Sequence, residues 1–318
     1  MNSYTGVNLN GKQFSATVTL LSQQRMSKFG DKVRQESVSN AEEAYFNLFG
    51  PEDLPTQDTD RHGDTPYDEY DANRRKVVPT TWEKATIIDK KDVARMTVDP
   101  QNPVVRSHAM SFGRKKDDII YAAMIGTAYQ GKEGTTAITF ANDSVGINGD
   151  GTVTSLGTPV SNEGITEVPM TLSKMLTMMT IFNELDVDPD IPKYWAVSPN
   201  DIKHMLNMTE IASIDYNTVK AIQQGKVDEY MGFNFFWTNR LVRDSQDGTC
   251  NRTVAWAKDG VIYASIADMQ TKIDILPTKK YSTGVYSTFD IGAVRFEGAK
   301  VHECHNLVTQ TLTASAAR

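Results

Sequence analysis

The sequence is poor in cysteine, with only Cys250 and Cys304 among its 318 residues. That excludes a disulfide framework and suits a reducing compartment, where thiols stay free. It also lacks a basic balance: 33 Lys and Arg stand against 40 Asp and Glu, a formal charge of -7. The chain as a whole therefore does not supply the phosphate neutralisation that drives general nucleic-acid binding. No stretch approaches the roughly 18 consecutive apolar residues of a membrane span, so no membrane partner is expected. The opening MNSYTGVNLNGKQFSATVTLL carries only Lys12 as a charge ahead of a mixed polar stretch, and it lacks the basic segment and apolar run of a secretory signal. Internal repeats are absent. So is a Gly-x-Ser-x-Gly elbow, and none of the five histidines (His62, His108, His204, His302, His305) has neighbours that propose a triad. Nothing in the residues supports a hydrolase, and no enzyme activity or cofactor is expected.

What is present is a chain 39% hydrophobic and 23% charged, enough to fold as a soluble protein with one extended or two compact cores. Residues 22–49 are polar with sparse apolar positions at Met26, Phe29, Val33, Ala44 and Phe49, a spacing that permits weakly amphipathic helix. The following PEDLPTQDTDRHGDTPYDEYDANRR has three prolines and an acidic run from Glu52 to Asp71, and reads as an extended or irregular arm. In RRKVVPTTWEKATIIDKKDVARMTV, β-branched and aromatic residues interleave with lysines, broken at Pro79 and Asp89. This predicts a two-stranded projection, which is marginal alone and needs something to lie on.

Asn102-Pro103 signals a helix start. Val105, Ala109, Phe112, Ile119, Ile120, Ala123 and Thr127 then recur at helical spacing, with Arg114 to Asp118 opposite and a possible bend at Gly113. A Gly, Ser and Thr rich stretch follows, with strand-like pieces at Thr136 to Phe140 and Thr152 to Leu156. Pro169 opens a second helix with an apolar stripe of Leu172, Met175, Leu176, Met179, Phe182 and Leu185, ending before Pro189. Tyr194 to Val197 reads as a buried strand, and Ser198, Pro199 and Asp201 as the start of a further helix with a capping box. Tyr216, Val219 and Ile222 continue a helix that stops at Gly225. Strands are expected over Met231 to Thr238, Thr253 to Ala257, Thr271 to Leu276 and from Val285 to Cys304. Asp259-Gly260 fits either a hairpin turn or the cap of a short helix through Ile266. Helices and strands mix without a βαβ rhythm, so the fold class is α+β.

Four motifs have bland readings that outweigh the sharp ones. GTAYQGKE (Gly126 to Glu133) matches phosphate-loop spacing, yet Glu133 stands where a hydroxyl should meet magnesium, and the run follows a helix. Its glycines read as a helix ending. His302, Cys304 and His305 are close, but in a strand His305 faces away from the other two and no second ligand pair exists; they read as a strand end with free side chains. Asn142 to Gly151 lacks calcium-loop spacing and reads as turns. Met170, Met175, Met178 and Met179 read as core, filled by flexible thioethers.

The order of pieces resembles the tailed-phage major capsid proteins of the Hong Kong 97-like fold family. The resemblance is carried by an arm, a lysine-bearing hairpin, the helix opening at Asn102-Pro103, VPMTLSKMLTMMTIFNELDVD leading into KYWAVSPNDIKHMLN, then GKVDEYMGFNFFWTNRL, and FDIGAVRFEGAKVHECHN with its Gly-Ala step before the last strand. It covers about Asp64 to Asn306.

The resemblance implies an N-terminal arm (1–63), an extended hairpin loop (64–100), a peripheral domain with a long spine helix (101–189), an axial domain (190–277) and return strands of the peripheral domain (278–318). It further implies a virion subunit assembled in the host cytoplasm as hexamers and pentamers, closing an icosahedral head around double-stranded DNA held weakly and without sequence preference. Scaffold, portal and cement or decoration proteins are the implied partners. With the folded part expected to begin near Asp64, scaffolding is expected from a separate gene. Some relatives cross-link a hairpin lysine to an asparagine; Lys76, Lys84, Lys90 and Lys91 lie in the region, but none matches that chemistry. Trp82, Lys84, Ile87, Lys90 and Lys91 are the candidate inter-subunit contacts. An encapsulin-like nanocompartment shell of the same fold is the alternative.

Overall fold

The computed structural model describes residues 23–39, 41–50, 52, 54, 55, 57, 67, 69–89, 101–208, 229–244 and 248–308. Its strands are β1 (Arg34–Ser37), β2 (Ala44–Phe49), β3 (Ala72–Val77), β4 (Thr80–Ile88), β5 (Ala128–Gln130), β6 (Thr136–Ile138), β7 (Gly146–Ile147), β8 (Lys193–Val197), β9 (Glu229–Tyr230), β10 (Phe233–Trp237), β11 (Cys250–Ala257), β12 (Val261–Leu276), β13 (Ser282–Arg295) and β14 (Val301–Leu307). The helices are α1 (Gln101–Ile125), the single-turn α2 (Phe140–Asp143), α3 (Leu172–Glu184) and α4 (Pro199–Leu206). Helices and sheets are mixed, as the α+β expectation has it.

The chain forms two compact units. The smaller holds Met1–Ser27, Thr81–Lys115 and Ala267–Asp290; the larger holds Lys28–Thr80, Lys116–Ile266 and Ile291–Arg318. Helix α1 and strands β12 and β13 contribute residues to both.

The larger unit is organised by a six-stranded sheet in the order β7-β14-β11-β8-β10-β9. Strand β11 runs antiparallel to both β14 and β8, while β10 lies parallel to β8. Because these central strands are covered on both faces they read as apolar runs rather than alternation, and KYWAV and the end of CNRTVAWA are buried nearly throughout. Met170, Met175, Met178 and Phe182 pack with Trp195, Phe233 and Phe235 in one cluster, so the methionines are core. Helix α3 starts where the Thr171 side chain accepts the Lys174 amide, and α4 carries the expected capping box: Ser198 accepts from the Asp201 amide and Asp201 accepts from the Ser198 amide. Each such cap removes an orphan donor and stabilises by about 1 kcal/mol. A second sheet, β2-β3-β5-β6, is antiparallel throughout. The remaining sheet has the order β1-β12-β13-β4, with β1 parallel to the first residues of β12.

Several expectations are corrected. Within residues 22–49, read as weakly amphipathic helix, the described residues 23–39 and 41–49 are not helical but hold a 3-10 turn, β1 and β2; their apolar positions are anchors, not a stripe. The folded chain begins well before Asp64. Phe29 is buried and stacks on Trp256 with centroids 5.5 Å apart, and the Lys28 and Phe29 amides donate to Asp117 at 2.9 and 3.2 Å. That makes Asp117, read as polar helix surface, a fully buried acceptor.

Strands β3 and β4 do not pair with each other as a hairpin, since they belong to different sheets. Helix α1 begins at Gln101, so Asn102 and Pro103 lie inside its first turn, and the helix continues unbroken through Gly113. A Cβ there would sit 3.2 Å from the Ser27 amide nitrogen, so close chain approach explains the glycine. The buried face of α3 is Lys174, Met175, Met178, Ile181 and Phe182, with Leu176 and Leu185 exposed. Residues 152–156 form only an isolated bridge through Val153 to Ile147, Thr136–Ile138 pairs with β5 instead, and Phe140 starts α2. Lys258–Gly260 is a 3-10 turn leading into β12, neither hairpin nor helix cap. The helix expected through Ile222 and most of the acidic arm fall outside the described residues.

Candidate inter-subunit surface

In the smaller unit, β4 is an edge strand hydrogen-bonded to β13. Side chains knit it further. The Thr288 hydroxyl donates to the Trp82 carbonyl (3.3 Å), the Tyr286 hydroxyl to Glu83 (2.9 Å) and the Ser282 hydroxyl to Asp89 (2.8 Å). At the centre, His108 of α1 bridges the Thr86 hydroxyl through Nε2 (2.8 Å) and the Ser287 hydroxyl through Nδ1 (3.0 Å). Burial, and then the charge of Lys84, push the His108 pKa down, favouring the neutral ring in this two-sided hydrogen-bonding link. Phe112 meets Phe289 edge-on at 4.5 Å. The segment read as a bare projection is therefore tied to α1 and β13.

Of the candidate contacts, Trp82 is 36% exposed and carries Lys115 Nζ 3.6 Å over its ring. Ile87 is half exposed while its neighbour Ile88 is buried, as strand alternation requires. Lys84 is half-buried. Lys90 and Lys91 lie outside the described residues. The structure thus brings Trp82, Lys84 and Ile87 onto one edge strand. Sequence reasoning missed the other exposed part of this unit: residues Gln270 to Ile275 of β12 are exposed on both faces, and Ile275 is 64% and Tyr281 65% exposed.

The larger unit carries chemically suggestive groups, and its interior accounts for most of them. Asp143 joins two buried guanidiniums, accepting from Arg75 Nη2 (2.7 Å) and Arg295 Nε (2.9 Å). Arg295 also donates to the carbonyls of Met124 and Gly126. Lys174, fully buried, donates to the carbonyls of Val168 (2.9 Å) and His305 (2.7 Å) and to Asn306 Oδ1 (3.3 Å).

The His302, Cys304 and His305 trio is not a strand end with free side chains, because all three are buried. Burial lowers the His302 pKa to about 4, and its ring nitrogens are held by Ala299 and Val145. Burial pushes the Cys304 thiol up to about 12, the opposite of an activated nucleophile. Both cysteines are free. A pocket of about 490 Å³ is lined by Arg252, Glu303, His305, Asp244 and Thr139 among others. Within it Arg252 donates to Glu303 Oε2 at 2.6 Å. Burial pushes the Glu303 carboxyl up, but His305 and Arg252 outweigh it and the net shift is downward. Among the described residues no group of three or more His, Cys, Asp or Glu could hold a metal ion.

Gly126 follows α1, as the phosphate-loop rejection has it, but Gly131, with φ of 96°, serves the β5–β6 turn rather than a helix end. Gly298 opens the turn before β14, where a Cβ would overlap the Asp143 carbonyl.

Residues 8–308 match the family described as phage capsid protein. No curated protein matches the sequence. Among solved structures the fold is similar to the capsid of Ralstonia phage GP4 (TM-score 0.70, 12% identity, 98% of both chains covered). It is also similar to the Cyanophage Pam1 capsid (0.68, 14%, 98% of this chain and 100% of that one). A third likeness is the capsid of Helicobacter pylori bacteriophage KHP30 (0.69, 9%, 96% and 99%). At these identities the likeness establishes the fold, over almost the whole of each chain.

Proposed function

The chain belongs to the phage capsid protein family and is a major capsid protein of the Hong Kong 97-like fold, and from that premise we propose how it builds its shell. Copies associate as hexamers and pentamers into an icosahedral head around the double-stranded DNA of a tailed phage. Assembly takes place in the host cytoplasm with separate scaffold, portal and cement proteins. Its role is structural, and the interior groups described above do no chemistry. The domain division keeps residues 1–63 as the arm, 64–100 as the extended loop, 101–189 and 278–318 as peripheral, and 190–277 as axial. Trp82, Lys84, Ile87, Lys90 and Lys91 are assigned to contacts between subunits. A phage shell is favoured over an encapsulin-like compartment because the family matched is that of phage capsids.

The observation that carries the assembly reading is the smaller unit's surface. A strand exposed on both faces from Gln270 to Ile275, beside a half-exposed Ile87 and Trp82 on an edge strand, is a liability in a lone subunit and a natural contact in a ring. Purified full-length protein, concentrated and imaged by negative-stain electron microscopy, should give rings, tubes or closed shells. A monodisperse monomer by sedimentation across salt and concentration would sink the assembly reading. The acidic chain should retain DNA weakly, with retention lost as salt rises; tight sequence-specific retention at physiological salt would contradict the container role.

A further inference from the structure

Two exposed features of this chain are complementary. The first is the turn between β12 and β13, Pro277 to Tyr281. Lys280 and Tyr281 both adopt left-handed backbone, with φ of 55° and 58°, and the Tyr281 amide donates to the Leu276 carbonyl at 3.1 Å. A 3-10 turn over Pro277–Lys279 followed by two successive left-handed residues gives the tip a defined backbone shape. It presents Lys279 and Lys280, both exposed, beside the ring of Tyr281. No acidic residue lies between Leu276 and Phe289, so the tip's charge is not cancelled locally in sequence.

The second feature is the end of the β2–β3 pair, where the Gly50 amide donates to the Asp71 carbonyl at 2.9 Å. There Phe49 (67% exposed) and Tyr70 (70% exposed) hold their rings 6.1 Å apart. Exposed Glu52, Glu69 and Asp71 flank the pair. An exposed aromatic pair rimmed by carboxylates matches a basic tip that carries its own aromatic ring, and aromatic residues with a charged rim are what anchored interfaces use.

We propose that the Pro277–Tyr281 tip of one copy docks on the Phe49–Tyr70 face of another copy, with Tyr281 against the aromatic pair and Lys279 and Lys280 facing Glu52, Glu69 and Asp71. The proposal rests on the self-assembly reading and names one contact within it. Each ion pair is exposed and weak alone, so the contact gains its effect by recurring at every subunit and should weaken as salt screens it.

The test uses full-length protein. The double variant Lys279→Glu/Lys280→Glu, and separately Glu52→Lys/Glu69→Lys, should each raise the protein concentration needed for particles by about tenfold, and combining all four should restore assembly. Because Cys250 and Cys304 are buried, single cysteines can report the contact directly. Copies carrying Thr278→Cys mixed with copies carrying Glu69→Cys should give a disulfide-linked heterodimer on mild oxidation, whereas each variant alone should not. Unchanged assembly in both charge variants, a combined variant no better than its parents, or no heterodimer in the mixture would overturn the docking. Particles forming without that heterodimer would leave the shell reading standing and remove this contact; heterodimer without particles would support the contact and count against the shell.

Discussion

The two units hold together by different means. The larger contains both fully buried tryptophans, Trp195 and Trp256, within aromatic contacts of 5.4 to 6.1 Å. Burial of that kind contributes a few kcal/mol per large side chain. Among the described residues the smaller has Phe112 against Phe289, buried Ile88 and Val285, and a ladder of hydroxyl and histidine bonds through Thr271, Ser287, His108 and Thr86. Such bonds exchange for water on unfolding and contribute about 1 kcal/mol each. One unit is thus stable by its own burial, while the other is specified in shape and leaves apolar surface for neighbours. Under the proposed assembly, the surface left uncovered in the subunit is what neighbouring copies would cover.

The largest expected effect tests the first half of that comparison. Trp256→Ala removes a side chain that stacks on Phe29 and whose Nε1 donates to the Lys32 carbonyl at 2.9 Å. It should cost about 3–5 kcal/mol, read as loss of most of the denaturant midpoint or as insoluble protein. A loss below about 1 kcal/mol would show that the tryptophan is not the anchor it resembles.

Acid dependence comes next and also belongs to the larger unit. Burial lowers the His302 pKa to about 4, below the 6.5 of an unfolded chain. Its contribution is therefore present above pH 6.5 and is lost as pH falls towards 4, amounting to about 3 kcal/mol. Asp201 does the reverse. Burial raises its pKa from 3.8 to about 6 against the Ser198 hydrogen bonds, so its contribution is present below 3.8 and is lost as pH rises through 6, again about 3 kcal/mol. Between pH 6 and 4 the two oppose each other and the parent protein should change little. Asp201→Asn should unmask a loss of stability on acidification, and His302→Gln a gain, when urea midpoints at pH 7 and 4.5 are compared. Identical slopes in all three proteins would refute the assignment.

A smaller effect probes the smaller unit. His108→Ala breaks both arms of the bridge between Thr86 and Ser287 and should cost about 1–3 kcal/mol. Hydrogen exchange should then accelerate in β4 and the outer part of β13 while β8 and β11 keep their protection. Uniform acceleration would mean the two units unfold as one.

Much of the fold was legible where the determinants are local. The Ser198-Pro199-Asp201 cap, the methionine helix and the strands within Met231 to Thr238 and Thr253 to Ala257 declare themselves within a few residues, whereas Val261 to Ile266, which fitted a hairpin or a short helix, is the first part of β12. What escaped depends on distant partners. Asp143 is 68 residues from Arg75 and 152 from Arg295, and β1 finds its parallel partner in β12, so neither leaves a periodic trace. Lys174 was hidden for another reason: a lysine on the buried face of α3 breaks the apolar pattern, which shifted the reading to Leu176 and Leu185. The candidate surface was legible in part. Alternation in β4 put Trp82 and Ile87 on view, but the hydroxyl ladder that fastens β4 to α1 and β13 has no sequence signature.

Trp82 offers the finest test of the division between the units. Its ring is one-third exposed, and its identifiable partner is Lys115 Nζ at 3.6 Å, an interaction contributing about 0.5–1 kcal/mol at such a site. The Trp82 carbonyl that receives the Thr288 hydroxyl is backbone and survives substitution. Trp82→Ala should therefore lower subunit stability by no more than about 1 kcal/mol. If the ring is buried at a contact between copies, the same change should cost assembly far more, because desolvated aromatic anchors carry a large share of interface energy. Thermal melting of the subunit and particle yield, measured on one preparation, separate these contributions. A melting loss comparable to that of Trp256→Ala would make Trp82 part of a core; unchanged melting with undiminished particle yield would make it a bystander on the surface. Only a nearly unchanged melt together with a sharp fall in particles fits an edge strand finished by its neighbour.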